Sequence, residues 1–407
     1  MKQKTKQTYQ FLLRLDAAGG IDVHKDFFQV AICRENEIPV EAEFGTFTKD
    51  LYTVSDFFLK YNIRNVIMES TGVYWKPLYR VLTEAGLKVT VANPLRVKQI
   101  PMEKTDKKDA QWLAKLLMND MVKPSFVPDE QQEALRGFTR MRTRYTQQMT
   151  TIKNQIVKLL ESCNFKVRSI VSDISTKTGQ RLTYAISEGK TDEDYLVKQC
   201  HHSVRKRQGD ERLKAALKGR LNESIQLQLR ILLEDWGHIE AQRSKTDKNI
   251  KQLITTEQQK KIEKLDKVEG IAQEQAEIIM AEIGIGIKNF PLANGATKFA
   301  GLTPGLKETS KKQKHIKAVP GNKNLRTCMI QIAWAAVKVK NGYWIAEYKH
   351  LKKRIGAKKA ILAVARRLFK AIYKILATDY DYQIWDAKKF IDNRVRSMAY
   401  KQTAKAV

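Results

Sequence analysis

Residues 19–36, GGIDVHKDFFQVAICREN, decide the fold of the first half of the chain. The segment is apolar and rich in residues that favour β-strands. Pro39 interrupts it before a second strand-like stretch, EAEFGTF, at residues 41–47. This pattern predicts an antiparallel meander at the start of a domain.

Beyond the meander, helical and strand-like patterns alternate. Residues 51–61 have the spacing of a helix, and residues 65–70 form a short strand of the buried type. Residues 77–86 predict a helix that ends at Gly86, and residues 87–94 predict another strand. Strands that alternate with helices indicate an α/β sheet that is covered on both faces.

The 407-residue chain is strongly basic, with 74 lysines and arginines, 44 acidic residues and a formal net charge of +30. Its length predicts two or three domains, and its charge favours a polyanionic partner. No apolar run approaches the roughly 20 residues that span a bilayer, so nucleic acid is favoured over lipid. The chain has no pattern of a secretory signal, and its four cysteines lack metal-site spacing, which together predict a cytoplasmic protein with reduced thiols.

After Pro128 the apolar residues recur at spacings of three and four, which predict long helices. One apolar seam contains Tyr145, Met149, Ile152, Ile156, Leu159 and Cys163, and a second contains Ile225, Leu229, Leu232, Trp236, Ile239, Ile250 and Leu253. The two seams predict an antiparallel coiled-coil hairpin. The basic segment HHSVRKRQGDER, residues 201–212, is interpreted as the tip of this hairpin or as a mobile arm.

A third region begins near Lys261. Within it, LDKVEGIAQEQAEIIMAEIG (265–284) predicts two short helices that turn at Gly270, as in helix-hairpin-helix elements that bind nucleic-acid backbones. From Asn322 the chain is helical and very basic, and Trp334 is assigned to the core.

The domain prediction has five parts. They are a basic tail (1–18), an α/β catalytic domain (19–128), a coiled-coil hairpin with a basic tip (129–260), a small and mostly helical C-terminal domain (261–380) and a second basic tail (381–407).

Four acidic residues lie where the predicted elements can bring them together. Asp22 interrupts the first apolar strand, Glu69 ends the strand at 65–70, and Asp106 and Asp109 share one face of a predicted helix. Clustered carboxylates repel one another, so the group suits a hard cation such as Mg²⁺ that serves phosphodiester chemistry. The alternative is that all four are solvated surface acids.

The tripeptide GID before a β-hairpin also opens actin-like ATPases and sugar kinases. Those proteins usually carry a second phosphate loop of the Asp-Gly-Gly type, which this sequence lacks. The pair Asp106 and Asp109 also has no place in their scheme.

The motifs GIDVHK (20–25), MESTG (68–72) and KTDKKDA (104–110) resemble, in order and spacing, the N-terminal domain of the DEDD-type transposases of bacterial insertion sequences. The motifs VEGIAQEQAEIIMAEIG (268–284), FAGLTPG (299–305) and GNKNLRTCMIQIAWAA (321–336) resemble the C-terminal domain of the same family. The resemblance spans roughly residues 19–345, and the ordered set of motifs is highly specific.

The resemblance implies a DNA recombinase with a ribonuclease H-like (RuvC-like) domain, a coiled coil and a small C-terminal domain that carries a catalytic serine. Asp22, Glu69, Asp106 and Asp109 correspond to the family's catalytic acidic tetrad, which holds Mg²⁺, with Mn²⁺ as an alternative. Two protomers would build each composite active site within a tetramer. Some members are guided by a structured bridge RNA, and related members are DNA invertases.

By the same resemblance, the nucleophile corresponds to Ser310, which follows the GL-x-P motif and precedes G-N-x-x-L-R. Lys311 replaces the usual glycine, and Thr309 is a neighbouring hydroxyl that can be confused with the nucleophile. Basic residues around Ser310 would favour an approaching phosphate.

The candidate nucleic-acid contacts are Lys107, Lys108, Lys311, Lys312, Lys314, His315, Lys317, Asn322 and Arg326. For Lys107 and Lys108 the alternative is plain solvation of the helix, and Asn322 and Arg326 are equally suited to the start of a helix.

Three functions stay open at this point. The first is a transposase in which Mg²⁺ helps Ser310 to attack a DNA phosphodiester. The second is a metal-dependent nuclease or Holliday-junction resolvase whose nucleophile is water. The third is a non-catalytic scaffold that binds RNA or DNA by charge alone, and the four acids at strand ends and on a helix weigh against it.

Overall fold

The computed structural model describes residues 15–97, 106–285, 290–309, 312–316, 319–378, 380–384, 386 and 388–392, without the side chains of residues 95–96, 106–108, 306–309 and 312–316. The chain divides into two compact units, Met1–Val127 and Pro128–Val407. The finer domain boundaries expected from the sequence stay predictions.

The first unit contains a mixed five-stranded sheet with the strand order β3-β2-β1-β4-β5. Strand β2 is antiparallel to both β1 and β3, whereas β4 pairs in parallel with β1 and β5 pairs in parallel with β4. This is the ribonuclease H-like arrangement, and the predicted meander and α/β class are confirmed. The elements are β1 (Ala17–Val23), β2 (Phe27–Arg34), β3 (Val40–Gly45), α1 (Thr48–Lys60), β4 (Asn65–Glu69), α2 (Trp75–Glu84), β5 (Lys88–Ala92), α3 (Pro94–Val97) and α4 (Asp106–Met118).

Alternate residues of each strand point to opposite sides of the sheet, and helices bury both sides. On one face Ile21, Phe28 and Met68 join a core with side chains of α1 and α2. On the other face Ala18 and Ile67 pack against side chains of α4. The central strands are therefore continuously apolar apart from a few polar positions.

Two adjacent glycines in β1 bring these layers close to the sheet. A Cβ atom on Gly19 would lie 2.3 Å from the ring of Phe58 in α1. A Cβ atom on Gly20 would lie 2.0 Å from the carbonyl oxygen of Ala110 and 2.8 Å from the backbone nitrogen of Ala114, both in α4. The backbone of α4 thus crosses β1 in direct contact at Gly20.

The second unit is mostly helical and includes a two-stranded antiparallel sheet. Its elements are α5 (Glu130–Ser162), α6 (Val167–Ile170), α7 (Lys177–Ser187), α8 (Glu193–Gln199), α9 (His202–Gln208), α10 (Asp210–Leu217), α11 (Glu223–Leu253), α12 (Thr256–Asp266), α13 (Gln273–Ile283), α14 (Ala293–Phe299), β6 (Gly305–Thr309), β7 (Lys312–Ile316), α15 (Lys323–Ala336), α16 (Tyr343–Ile355) and α17 (Ala357–Ala377).

The two long helices expected from the apolar seams are α5, with 33 residues, and α11, with 31 residues, and they pack against each other. Side chains of Asp129 and Asn222 cap their N-termini by accepting hydrogen bonds from backbone N–H groups of the first turn. Coiled-coil geometry stays a prediction for this pair.

The segment between the long helices forms α6 to α10, which share a core with the facing ends of α5 and α11. Phe165, Leu182, Leu196 and Leu213 are fully buried in it. Residues 201–212, expected as a tip or a mobile arm, form α9 and the first part of α10.

The predicted pair of short helices is present as α12 and α13, which pack together. They are joined through Gly270, whose φ of +84° suits glycine. A Cβ atom on Gly270 would lie 2.6 Å from the carbonyl oxygen of Ile332 in α15, so this turn packs closely against that helix. Binding of a nucleic-acid backbone by the pair stays a prediction.

One core assignment is wrong. Trp334 is 42% exposed, with its ring 5.7 Å from that of Tyr348, because the apolar face of α15 is formed by neighbours such as Met329 and Ile332. No helix within the described ranges of the chain is long and apolar enough to cross a membrane.

Candidate active site

Two of the predicted catalytic acids lie side by side on the first sheet. The parallel register pairs Ile21 with Met68, so the next step of the same register places Asp22 in β1 beside Glu69 in β4. Residues two apart on a strand share a face, so Asp22 lies on the face of Gly20, which α4 covers. Asp22 is 9% exposed, which is low for a carboxylate.

Helix α4 brings the other two predicted acids to this face. Asp109 is half-buried and directly precedes Ala110, whose carbonyl oxygen lies against Gly20. Asp106 is the first residue of the same helix, although its side chain lies outside the described residues, as do those of Lys107 and Lys108. The backbone of α4 thus lies on the sheet face that carries Asp22, and convergence of the four carboxylates stays a prediction.

Asp22 has two polar neighbours that sequence reasoning did not assign to the site. His24 donates a hydrogen bond from Nε2 to Oδ2 of Asp22 at 2.9 Å, and its ring stacks on Phe27 with 4.4 Å between centroids. Gln29 lies opposite Asp22 in the antiparallel register of β2 and is buried. The signal for Gln29 was a single polar residue inside the apolar run FFQVAIC.

The chemistry of this acid group suits a magnesium ion. Mg²⁺ prefers carboxylate oxygens and is commonly held by one or two of them together with substrate phosphates. Among the side chains that the structure describes, no three acidic, histidine or cysteine residues lie close enough together to hold an ion. The four-residue metal site therefore stays a prediction, with Asp106 outside what the structure tests.

The segments that precede and follow the predicted nucleophile in sequence, β6 and β7, form a pair of antiparallel strands. Strands β6 and β7 pair in the register Thr309 to Lys312, and Lys307 faces Lys314. Ser310, Lys311 and Lys317 lie outside the described residues, and the backbone of Lys312, Lys314 and His315 lies in β7. The assignment of Ser310 over Thr309 stays a prediction.

The two ends of this hairpin meet at a pair of glycines. A Cβ atom on Gly321 would lie 2.4 Å from the backbone nitrogen of Gly301 and 2.5 Å from the carbonyl oxygen of Phe299. The backbone N–H of Asn322 donates to that same carbonyl at 2.7 Å. The FAGLTPG and GNKNLR motifs are thus in direct contact at the base of the hairpin.

The side chain of Asn322 makes two hydrogen bonds within the second unit. Its Oδ1 accepts a hydrogen bond from the backbone N–H of Leu325 at 3.1 Å and caps α15, while its Nδ2 donates to Oε2 of Glu282 at 2.6 Å. The helix-start alternative is therefore observed for Asn322. Nucleic-acid contact by Asn322 and by Arg326, which is half-buried one turn further along α15, stays a prediction.

Glu282 is a fully buried carboxylate at the centre of a charged network that sequence reasoning missed. Arg140 of α5 donates to both of its oxygens, from Nε at 2.8 Å and from Nη2 at 2.9 Å. Arg136 lies 3.5 Å from it, and burial lowers the pKa of that guanidinium, whereas the hydrogen bond to Glu282 raises the pKa of Arg140. The network ties α5 and α13 to the base of the hairpin through Asn322.

Comparisons with known proteins give one family match in the N-terminal part of the chain and another in the C-terminal part. A family model for transposases of the DEDD, IS110 type matches residues 19–165, and a model for the transposase IS116/IS110/IS902 family matches residues 262–350. No curated protein matches the sequence. Among solved structures, the RuvC structure from Thermus thermophilus is 13% identical, with a TM-score of 0.22 over 27% of this chain and 99% of that chain.

Proposed function

Because the chain belongs to the IS110 family of DEDD transposases, we propose that it recombines DNA with an acidic magnesium site in its first unit and a serine nucleophile in its second. Family membership makes it an enzyme that cleaves and transfers DNA strands. We propose that it acts in the cytoplasm of its host. The observation that supports the proposal is the register of β1 and β4, which one step beyond the pair Ile21 and Met68 brings Asp22 beside Glu69, next to the point where α4 crosses Gly20.

Asp22, Glu69, Asp106 and Asp109 would hold the ion, Mg²⁺ or the similar Mn²⁺. When bound, it supplies Lewis-acid stabilisation of charge on the oxygens of the phosphodiester. The chain contributes rigid placement, since two carboxylates stand on paired strands and two on one helix. The hydrogen bond from His24 holds the carboxylate of Asp22 in one orientation.

Ser310 would open the DNA strand. Its Oγ bonds to phosphorus while the bond from phosphorus to the 3′ oxygen breaks. The serine proton passes to solvent, and the leaving oxygen takes up a proton, so the products are a phosphoserine ester and a free 3′-hydroxyl. Attack by another 3′-hydroxyl on this ester rejoins the strands without an external energy source. Basic residues of β7 and its neighbours would hold the phosphate.

Trapping the covalent intermediate tests the nucleophile. Wild-type protein with cognate DNA and Mg²⁺ should yield a DNA-linked chain, and digestion should place the phosphate on Ser310. Ser310→Ala should abolish both the adduct and recombination, whereas Thr309→Val, the matched control, should retain them. An adduct on Thr309 would overturn the assignment of Ser310.

The same assay separates the competing functions. If Asp22→Asn stops cleavage while Ser310→Ala still cuts, water is the nucleophile and the protein acts as a nuclease or junction resolvase. If wild-type protein binds cognate DNA and never cuts it in Mg²⁺ or Mn²⁺, the protein is a scaffold.

We also propose a structured guide RNA and a dimer that assembles into a tetramer, in which the acids and the serine of one active site come from different protomers. Sequencing of the RNA that copurifies with the protein tests the first part. A discrete structured RNA from the flanks of its own gene supports guidance, and random cellular RNA contradicts it. Mixing Asp22→Asn protein with Ser310→Ala protein tests the second, because a shared active site predicts partial recovery of cleavage.

A further inference from the structure

Helix α17 has one apolar and one uniformly cationic side. Its apolar side, which includes Val364, Leu368, Phe369 and Ile372, is fully buried in the second unit. Between residues 352 and 374, every exposed residue except Gly356 is a lysine or an arginine, and residues 348–377 contain no acidic residue. The exposed cations are Lys352, Lys353, Arg354, Lys358, Lys359, Arg367, Lys370 and Lys374.

Four of these cations form one line along the helix, which we call the α17 stripe: Lys359, Arg367, Lys370 and Lys374. At about 100° per residue they fall within about 80° of one another, and at about 1.5 Å per residue they extend over about 22 Å. Arg367 is held by an ion pair with the buried Glu347, and the ammonium of Lys374 lies 3.6 Å from the centroid of the Tyr380 ring. Lys359 and Lys370 have no acidic partner in the part of the chain that the structure describes.

Apart from Lys374, which stands in the last turn of α17, and the ion pair of Arg367 with Glu347, the stripe does not stabilise the helix that carries it. Lys358 and Lys359 stand in the first turn of α17, where the helix dipole favours acids, and that turn contains none. Lys370 has a like charge three residues before it and another four residues after it, and such pairs repel along a helix. The apolar side anchors α17 in the second unit, so its cationic side is open to an external polyanion.

We infer that the α17 stripe binds the phosphate backbone of duplex DNA, as a sequence-independent contact. Neutralised phosphates release their counterions, which makes a row of fixed cations an effective binder of DNA. An anionic membrane is the weaker fit, because a helix that binds lipid inserts its apolar face and that face of α17 is already buried. Helix α17 also lies outside the residues that the two family models match.

This inference rests on the proposed function only in taking DNA as the polyanion. It is therefore tested by binding alone, in a Ser310→Ala background with a chelator present, so that neither cleavage nor Mg²⁺ affects the result. The test variant is the triple substitution Lys359→Gln, Lys370→Gln and Lys374→Gln. The matched control is Lys245→Gln, Lys248→Gln and Lys251→Gln, which removes the same charge from exposed positions of α11.

The measurement is the affinity for a short duplex of arbitrary sequence at several salt concentrations. Each phosphate contact contributes about −0.9 to the slope of log affinity against log salt. The slope of the stripe variant should therefore be shallower than that of wild type by about 2 to 3. The α11 control should keep the wild-type slope. A variant with arginine at the same three stripe positions should also keep it, provided that all variants melt at the wild-type temperature.

Two results would overturn the inference. One is an equal change of slope in the stripe variant and in the α11 control, which would mean that only total charge matters. The other is an unchanged DNA slope together with weaker binding of the stripe variant to phosphatidylserine vesicles, which would assign the stripe to a lipid surface. Either result leaves the cleavage test of Ser310 unaffected.

Discussion

Single residues decide how closely the layers of the first unit approach, and Gly20 is the clearest case. The sequence predicts a strand around it, but nothing local reveals that a helix more than 80 residues later crosses there, which is why the contact with Ala110 was not foreseen. The roles of Gln29 and Glu282 could not be predicted from the sequence for a related reason. Each is one polar residue in an apolar run, and its purpose depends on partners that are distant in sequence.

Gly20→Ala should destabilise the first unit by about 1–3 kcal/mol or more, because the added methyl group overlaps backbone atoms that cannot move aside. The expected result is a lower melting temperature, measured by circular dichroism. Gly237→Ala is the matched control, since nothing lies within 4 Å of a Cβ atom there and the residue is inside α11. The Gly237→Ala substitution should stabilise the second unit by about 0.5–1 kcal/mol. A Gly20→Ala protein as stable as wild type would contradict the close crossing of α4.

The thiol of Cys328 should be inert in the folded protein. Burial raises its pKa to about 12, so the reactive thiolate is negligible at pH 8. Iodoacetamide at that pH should leave Cys328 unlabelled until the protein is unfolded in guanidinium, as read by mass spectrometry of its peptide. Rapid labelling of this cysteine in native protein would show that α15 is not packed as described.

At the scale of elements, the sequence predicts long helices well and what lies between them poorly. The seams located α5 and α11, yet the structure buries Leu160 and Leu233 more fully than the adjacent Leu159 and Leu232 of the predicted seams. The difference arises because α6 to α10 pack against the same ends of the long helices. Those helices are short, and their few apolar residues have no periodic signal of their own.

The network around Glu282 should govern how firmly α5, α13 and the hairpin base are joined. Glu282→Gln leaves two guanidinium groups without their counter-charge, which should cost about 3 kcal/mol, the low end for a buried pair because Arg140 is 42% exposed. Glu274→Gln on the same helix breaks a pair with Arg243 at a 50% exposed carboxylate and should cost at most about 1 kcal/mol.

Chemical unfolding of the second unit measures both changes. Equal losses for Glu282→Gln and Glu274→Gln would mean that the buried network does not join these elements.

At the scale of the whole molecule, the sequence anticipated the ribonuclease H-like sheet and the family, whereas the five-part division of the chain stays a prediction. The break between Val127 and Pro128 follows from contacts that are dense within each unit. Short motifs such as GIDVHK and FAGLTPG identify which units are present. They contain no information on how α6 to α10 or α17 pack, because those elements are held by nonlocal apolar burial.

Two compact units predict two unfolding transitions. Calorimetry of the full chain should resolve two heat-absorption peaks, and a fragment of residues 1–127 should retain one of them with its own cooperative unfolding. Gly20→Ala should shift only the peak that this fragment reproduces. A single two-state transition for the full chain, lowered as a whole by Gly20→Ala, would contradict the division.

The contact between Gly301 and Gly321 closes the base of the β6–β7 hairpin whatever the hairpin contains. Because the chain enters and leaves this segment at one fixed point, the helices of the second unit need not repack when residues of β6 or β7 change. Substitutions between the two glycines that keep Ser310 should therefore alter how the hairpin meets its substrate and leave the stability of the helices unchanged.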